Sequence, residues 1–289
     1  MFKLSPTPSI RLVSLDFDGT IMVYDQSVGR FHPEVVRVLN ALADQGIAWC
    51  ANSGRDLEDQ KVVLHRSREI GLTHMPQAII SSESLVHFRD GEEYLPLISW
   101  NEKAMAGLKR LHRAVHEALA PHRKNIEETY QPDLILWDDA ITAFLVKDRS
   151  GTKPRALFNQ LMDWLADVPS AVMSMNGAWV QVMLRGLGKG IALSAWTETV
   201  GLLPDEILAV GDHYNDLDML SGRHASHIGC PLDALMEVRL TVERARGYVG
   251  RYPGPLGTVD ILERAIGLTD RSLEASEERP DFPGAIDSV

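Results

Sequence analysis

Apolar and polar positions alternate along the chain in a pattern that predicts strands followed by helices. The first segment, Ile10–Phe17, is short, apolar and rich in β-branched residues, as expected of a buried strand. A helical pattern begins at Pro33, and its apolar residues recur at helical spacing until Gly46 ends it. The strands Ile47–Ala51 and Ala78–Ile80 follow, with a helix between them. This βαβαβ order predicts an α/β fold with a doubly wound parallel sheet.

The pattern then changes to hairpins and helices, which predicts a separate α+β layer, before the strand–helix alternation resumes. We therefore predict a Rossmann-like core domain formed by residues 1–82 and 186–267. An α+β cap domain is expected as an insertion at residues 83–185. Residues 268–289 are polar and rich in Ser, Glu and Pro, and we expect them to form a flexible acidic tail.

Composition narrows the class of protein. The chain has 289 residues, 45% of them hydrophobic, and a net charge of −11. A negative chain without a basic stretch does not favour binding to nucleic acid or to an anionic membrane. Two unpaired cysteine positions, Cys50 and Cys230, suit a reducing cytoplasm, and no apolar run is long enough for a membrane span. We expect a cytoplasmic protein, and the pattern carries no indication of its oligomeric state.

Polar side chains cluster where the predicted strands of the core end. Asp16 and Asp18 close the first strand, Ser53 and Ser81 follow the next two, and Asp212 follows a later one. In open parallel sheets, ligands bind outside the carboxyl ends of the strands. The sequence therefore predicts that these side chains line one crevice.

The residue types in this crevice indicate a metal and a phosphate. Asp16, Asp18, Asp212 and Asp216 supply hard oxygen ligands, which suit Mg²⁺ together with the oxygens of a substrate phosphate. A phosphate among so many carboxylates also needs a positively charged side chain. Lys189, flanked by glycines at the start of a predicted helix, is the candidate.

Four segments resemble, in the expected order, the motifs of the haloacid dehalogenase superfamily. They are Asp16–Thr20, Ser53–Arg55, Lys189 and Gly211–Asp216. The run Leu217–Leu220 further resembles the Cof-like, type IIB branch, which carries an α+β cap between the second and third motifs.

This resemblance implies phosphoryl transfer through an aspartyl-phosphate, with Mg²⁺ as cofactor. Asp16 would be the nucleophile and Asp18 the general acid and base. Dehalogenases of the superfamily lack an acid at the position of Asp18, so its presence favours phosphate chemistry. By the same resemblance, the metal ligands are Asp16, the backbone carbonyl of Asp18, and Asp212. Asp216 is expected to be a supporting residue that positions either Lys189 or a metal-bound water. The substrate-binding residues are expected to be Thr20, Ser53, Gly54, Lys189 and Asn215.

The sequence thus predicts a Mg²⁺-dependent phosphatase for a small phosphorylated metabolite, with a sugar phosphate as the leading class. One alternative is a phosphomannomutase-like phosphotransferase, and another is a non-catalytic regulatory protein on the same scaffold. Glu83 stands where the Cof-like branch often has asparagine. It is expected either to contact a sugar hydroxyl or to be solvated.

Overall fold

The computed structural model describes residues 10–25, 28–137, 140–148, 150–265 and 267. The predicted acidic tail lies outside these ranges. The described residues form two compact units, one from residues up to 110 and 184–262, the other from 111–183 and from 263 on. The domain boundaries expected at residues 83 and 185 stay a prediction. Across the described ranges, every helix is too short or too polar to cross a membrane.

The strands and helices follow one another in the order expected of an α/β protein. In chain order the strands are β1 (Leu12–Leu15), β2 (Met22–Asp25), β3 (Val28–Phe31), β4 (Ala48–Asn52), β5 (Ala78–Ser81), β6 (Leu85–Asp90), β7 (Glu93–Pro96), β8 (Asp133–Trp137), β9 (Ala140–Leu145), β10 (Ala171–Asn176), β11 (Trp179–Leu184), β12 (Ile207–Val210), β13 (His227–Cys230) and β14 (Tyr248–Val249). The helices are α1 (Pro33–Asp44), α2 (Leu57–Glu69), α3 (Ile98–Leu119), α4 (Arg123–Asn125), α5 (Thr152–Trp164), α6 (Lys189–Thr197), α7 (Met236–Arg244) and α8 (Gly254–Ala265). Short 3₁₀ segments lie at Ala120–His122, Pro204–Glu206 and Tyr214–Asp216, and a π-helical turn at Ile126–Tyr130.

Among the described residues, the strands form sheets of eight, four and two strands. The large sheet has the order β14-β13-β12-β1-β4-β5-β6-β7. Its strands from β14 to β5 run parallel, whereas β6 and β7 pair antiparallel. The predicted α/β fold with a mostly parallel central sheet is therefore confirmed. The predicted hairpin of β6 and β7 is present, and it extends this sheet.

The centre of the large sheet is apolar because its strands are covered on both faces. All four residues of β1 and of β12 are buried, as expected for parallel strands inside an α/β fold. Helix α1 packs its predicted apolar face inward, with Val35, Val36, Leu39 and Leu42 buried. The helix ends at Asp44, and Gly46, two residues later, has a positive φ of 75°, the left-handed conformation that favours glycine after a helix.

The second unit has its own sheet and core. Its four strands have the order β10-β11-β9-β8, and β9 pairs antiparallel with both β8 and β11. Phe144 and Val180, opposite each other in this sheet, are fully buried, as are Leu157 and Leu161 of α5. These side chains place α5 against one face of the sheet.

Candidate active site

The candidate site lies entirely in the unit that contains the large sheet, at the ends of β1, β4 and β12. The loop after β1 contributes Asp16 to the site. The next side chain, Phe17, is buried in the core and packs edge-on against Phe31, with the ring centroids 5.1 Å apart. Gly19 follows with a φ of 76°. A Cβ atom there would lie 2.7 Å from Cγ of Asp212, so the loop can pass this carboxylate only with glycine.

Thr20 connects the two ends of the site. Its hydroxyl donates a hydrogen bond to Oδ1 of Asp212 at 2.8 Å, and its own carbonyl accepts one from the Thr258 hydroxyl at 2.7 Å. Thr20 and Thr258 are both fully buried. The first and last motifs are therefore joined by a hydrogen bond between a buried threonine and a partly buried aspartate.

Lys189 is the centre of the site. Its side chain is 0% exposed, and Nζ donates to Oδ1 of Asp16 at 2.5 Å and to Oδ1 of Asp216 at 2.6 Å. Burial by itself lowers the pKa of Lys189, but the charges of Asp16 and Asp216 outweigh it and raise that pKa above its ordinary value. The lysine is therefore a permanently charged ammonium held between two carboxylates.

Three carboxylates form a group that fits a hard cation. Oxygen atoms of Asp16, Asp212 and Asp216 lie within 4.8 Å of one another. Burial, followed by the charge of Asp216, raises the pKa of Asp212 to about 7. Lys189 supplies a single positive charge against these three carboxylates, so a divalent cation with a preference for oxygen would relieve the remaining repulsion.

Asp216 is already engaged by the protein at both carboxylate oxygens. Oδ1 accepts a hydrogen bond from Nζ of Lys189. Oδ2 accepts hydrogen bonds from the backbone N–H groups of Asp212 and His213, each at 2.9 Å. Asp216 also leaves no room for a Cβ at Gly211, which would lie 2.6 Å from its Oδ2. This arrangement orients the lysine and the loop, in keeping with a supporting residue.

Asp18 has a different set of partners from Asp16. Arg55 grips its carboxylate with two hydrogen bonds of 2.8 Å, and the Tyr24 hydroxyl donates to the same group. Arg55 also donates to Tyr24 at 2.7 Å. Burial alone would raise the pKa of Asp18, but the hydrogen bonds and the charge of Arg55 lower it. Asp18 therefore rests as an ionised carboxylate, which is the form of a base.

Arg55 and Tyr24 were given no role by the sequence pattern. A role for Arg55 could have been predicted from the sequence, because Arg55 directly follows Ser53 and Gly54 in the second motif. Tyr24 carried no signal, since its contact depends on how the hairpin of β2 and β3 folds beside the loop of Asp18.

The remaining predicted residues lie around a buried glutamate. Ser53 is buried, and its Oγ accepts a hydrogen bond from the Arg55 N–H at 3.3 Å. Asn215 donates from Nδ2 to Oε1 of Glu83 at 3.0 Å, and the same oxygen would lie 3.1 Å from a Cβ at Gly54.

Glu83 is therefore not a solvated residue, since it is only 7% exposed. Burial raises its pKa. Its φ is 59° and that of Ser82 is 48°, so two successive residues adopt the left-handed conformation that costs a non-glycine residue about 1–2 kcal/mol. Strain of this kind concentrates at functional sites.

Two phosphatases are similar to this chain in sequence. The chain is 25% identical over 226 residues to HMP-PP phosphatase of Yersinia pseudotuberculosis, covering 73% of this chain and 80% of that protein. A phosphoglycolate phosphatase of Aeropyrum pernix is 32% identical over 92 residues, which are 32% of this chain and 36% of that protein.

Solved structures extend the likeness in fold. The Synechocystis sucrose-phosphatase, solved with sucrose and phosphate, matches with a TM-score of 0.64 at 15% identity, over 89% of this chain and 98% of that one. A haloacid dehalogenase-like hydrolase of Bacteroides thetaiotaomicron matches with a TM-score of 0.55 at 18% identity, over 89% and 99%. The names of these relatives support a phosphatase enzyme, as the sequence predicts. The sequence model of the haloacid dehalogenase-like hydrolase family matches residues 83–227, and the chain therefore belongs to this family.

Proposed function

We propose that the protein is a Mg²⁺-dependent phosphatase that hydrolyses a small phosphorylated metabolite, with sugar phosphates as the leading class. The observation that carries the proposal is the buried ammonium of Lys189, held at 2.5 Å from Asp16 and 2.6 Å from Asp216. Such a group binds a phosphoryl oxygen at the same time as it orients the attacking carboxylate. The phosphatase relatives, with small phosphorylated compounds in their names, support the substrate class.

Asp16 is the nucleophile in this proposal. Its carboxylate attacks phosphorus, the bond from phosphorus to the leaving oxygen breaks, and an aspartyl-phosphate forms. Asp18, ionised in its pair with Arg55, takes up a proton from solvent as the substrate binds and delivers it to the leaving oxygen. It then removes a proton from the water that hydrolyses the intermediate. Lys189, with the hydroxyl of Ser53, stabilises the charge on the phosphoryl oxygens. The backbone at Gly54 and the amide of Asn215 complete this anion-binding set.

The proposal includes Mg²⁺ because the site offers oxygen ligands for it. Asp16, the backbone carbonyl of Asp18, and Asp212 would hold Mg²⁺, and Thr20 fixes the Asp212 carboxylate for this task. When bound, the ion supplies positive charge that neutralises the phosphoryl oxygens in the transition state. An inserted cap at residues 83–185 on a core of 1–82 and 186–267 is part of the same proposal.

The test is a screen of phosphorylated metabolites with Mg²⁺, measuring inorganic phosphate. Replacing Asp16 by Asn should lower kcat at least about 10³-fold, because the amide is not a nucleophile. Asp44→Asn, at the exposed end of α1, is the matched control and should keep full activity. EDTA should abolish hydrolysis and added Mg²⁺ should restore it.

The alternatives give different products. Isomerised hexose phosphate without free phosphate would indicate a phosphotransferase. A complete lack of hydrolysis on the panel and on an aryl phosphate would indicate a regulatory protein. Near-normal hydrolysis by Asp16→Asn would refute the proposed nucleophile.

A further inference from the structure

The backbone N–H groups at the start of the helix that Lys189 begins need hydrogen-bond acceptors, and the lysine side chain provides none. Lys189 is the first residue of α6, and the first N–H groups of a helix have no partner inside the helix. A side chain of the preceding residue usually accepts from them. That residue is Gly188, which has no side chain to offer.

A carboxylate from a distant segment accepts these hydrogen bonds instead. Oδ2 of Asp218 accepts from the N–H groups of Gly190 at 2.9 Å and Ile191 at 3.0 Å. The other oxygen, Oδ1, lies 3.4 Å from Nε2 of His224. The two residues that follow the lysine are thus fixed by Asp218.

The glycines on either side of the lysine leave room for this carboxylate. A Cβ at Gly188 would lie 2.8 Å from Oδ2 of Asp218. A Cβ at Gly190 would lie 2.9 Å from the backbone carbon and oxygen of Asp218, and would also meet the His224 ring. Side chains at either position would displace Asp218, so the Gly-Lys-Gly sequence and Asp218 form one arrangement.

One segment therefore holds Lys189 at both ends. Asp216 binds Nζ at 2.6 Å, and Asp218, two residues later, binds the backbone that follows the lysine. A lysine side chain has four rotatable bonds, and burial leaves it no alternative partner in water. A shift of its backbone would therefore move Nζ away from Asp16.

We propose that Asp218 is a positioning residue that keeps the Lys189 ammonium between Asp16 and Asp216. Its effect on catalysis rests on the proposed phosphatase function. Its effect on the lysine does not, so the two can be tested separately.

The test compares three variants. Asp218→Ala removes the acceptor, whereas Asp218→Asn keeps a carbonyl oxygen in nearly the same place. Asp148→Ala is the matched control, because Asp148 accepts from the Lys153 N–H at 2.8 Å at the start of α5, in the other unit. Thermal unfolding identifies variants that fold, and Asn is the fallback if Ala does not.

The first measurement is independent of activity. A lysine ammonium that is buried and paired exchanges its protons slowly and gives a ¹H–¹⁵N NMR signal, which Lys189→Met assigns by its loss. We expect this signal to disappear or shift in Asp218→Ala, to return in Asp218→Asn, and to be unchanged in Asp148→Ala. A signal in Asp218→Ala identical to that of the wild type would overturn the proposal.

The second measurement is kinetic. We expect Asp218→Ala to lose about 10- to 100-fold in kcat/KM, with weaker inhibition by inorganic phosphate, because a misplacement of about 1 Å has effects of this size. Asp218→Asn should recover most of the loss. Normal kinetics in Asp218→Ala, with only the stability loss seen in Asp148→Ala, would reduce Asp218 to a helix cap. An inactive wild type would refute the proposed function and leave the NMR result to decide the position of the lysine.

Discussion

Replacing Lys189 by Met tests the centre of the site through stability alone. The side chains of Lys189 and Asp216 are 0% exposed and that of Asp16 is 8% exposed, so the substitution leaves two carboxylates facing each other without water. Removing one partner of a buried ion pair costs about 3–5 kcal/mol. For a unit of roughly 150–250 residues, each kcal/mol lowers Tm by about 2–4 °C, so we expect a decrease of about 6–20 °C.

Two conditions should reduce this loss. Lowering the pH from about 8 to about 5 should narrow the difference from the wild type, because burial and Asp216 raise the pKa of Asp16 and a protonated carboxyl no longer needs the ammonium. Mg²⁺ should also raise the Tm of Lys189→Met, since its charge replaces that of the missing ammonium. A concentration of about 100 Kd would add about 2.7 kcal/mol.

The assay is thermal unfolding followed by circular dichroism, with Lys61→Met as the matched control. Lys61 pairs with Glu58 at 2.9 Å on the surface of α2, with 38% and 78% of the two side chains exposed. Such a pair contributes at most about 1 kcal/mol. Equal Tm values for Lys189→Met and Lys61→Met would refute the reasoning that burial makes the Lys189 contacts strong.

Two further predictions concern proton and metal binding. Arg55→Ala should raise the pKa of Asp18, because the bidentate ion pair is lost, and the alkaline limb of kcat/KM for an alkyl phosphate should move up by about one pH unit. An unchanged limb would contradict Asp18 as the acid. Because burial raises the pKa of Asp212 to about 7, its proton must leave before Mg²⁺ binds. The apparent Kd, measured by calorimetry, should therefore rise by up to about tenfold for each pH unit below 7 and be constant above it. A Kd independent of pH would argue against Asp212 as a ligand.

The fold was predictable where hydrophobic periodicity determines it. Strands β1 and β12 are buried throughout, β4 is buried from its second residue on, and a glycine follows the end of α1. The grouping of Asp16, Ser53 and Asp212 was also predictable, because residues at the carboxyl ends of neighbouring parallel strands meet at one edge of the sheet. Lys189 begins a helix instead, and it was predicted from the positive charge that a phosphate among carboxylates needs and from the resemblance to the third motif.

Other features depend on information that a local pattern does not contain. The pattern predicts the hairpin of β6 and β7 but not the sheet that it joins, because either edge of a hairpin can pair with another strand. The strand β8 was not predicted at all. The ion pair of Asp18 with Arg55 and the burial of Glu83 depend on side-chain directions within loops, which have no periodicity.

The order of strands in the large sheet has a consequence for synthesis on the ribosome. β1 lies between β4 and β12, so the first of these strands to be made has one neighbour early and the other only near the end. At about 5–20 residues per second, the edge of β1 that pairs with β12 waits on the order of 10–40 s. During that interval Leu12–Leu15 presents unpaired backbone on a strand that is apolar at every position except Ser14, and other chains can join it. A chaperone that covers this edge until β12 is made, the strand that Asp212 follows, would limit such pairing.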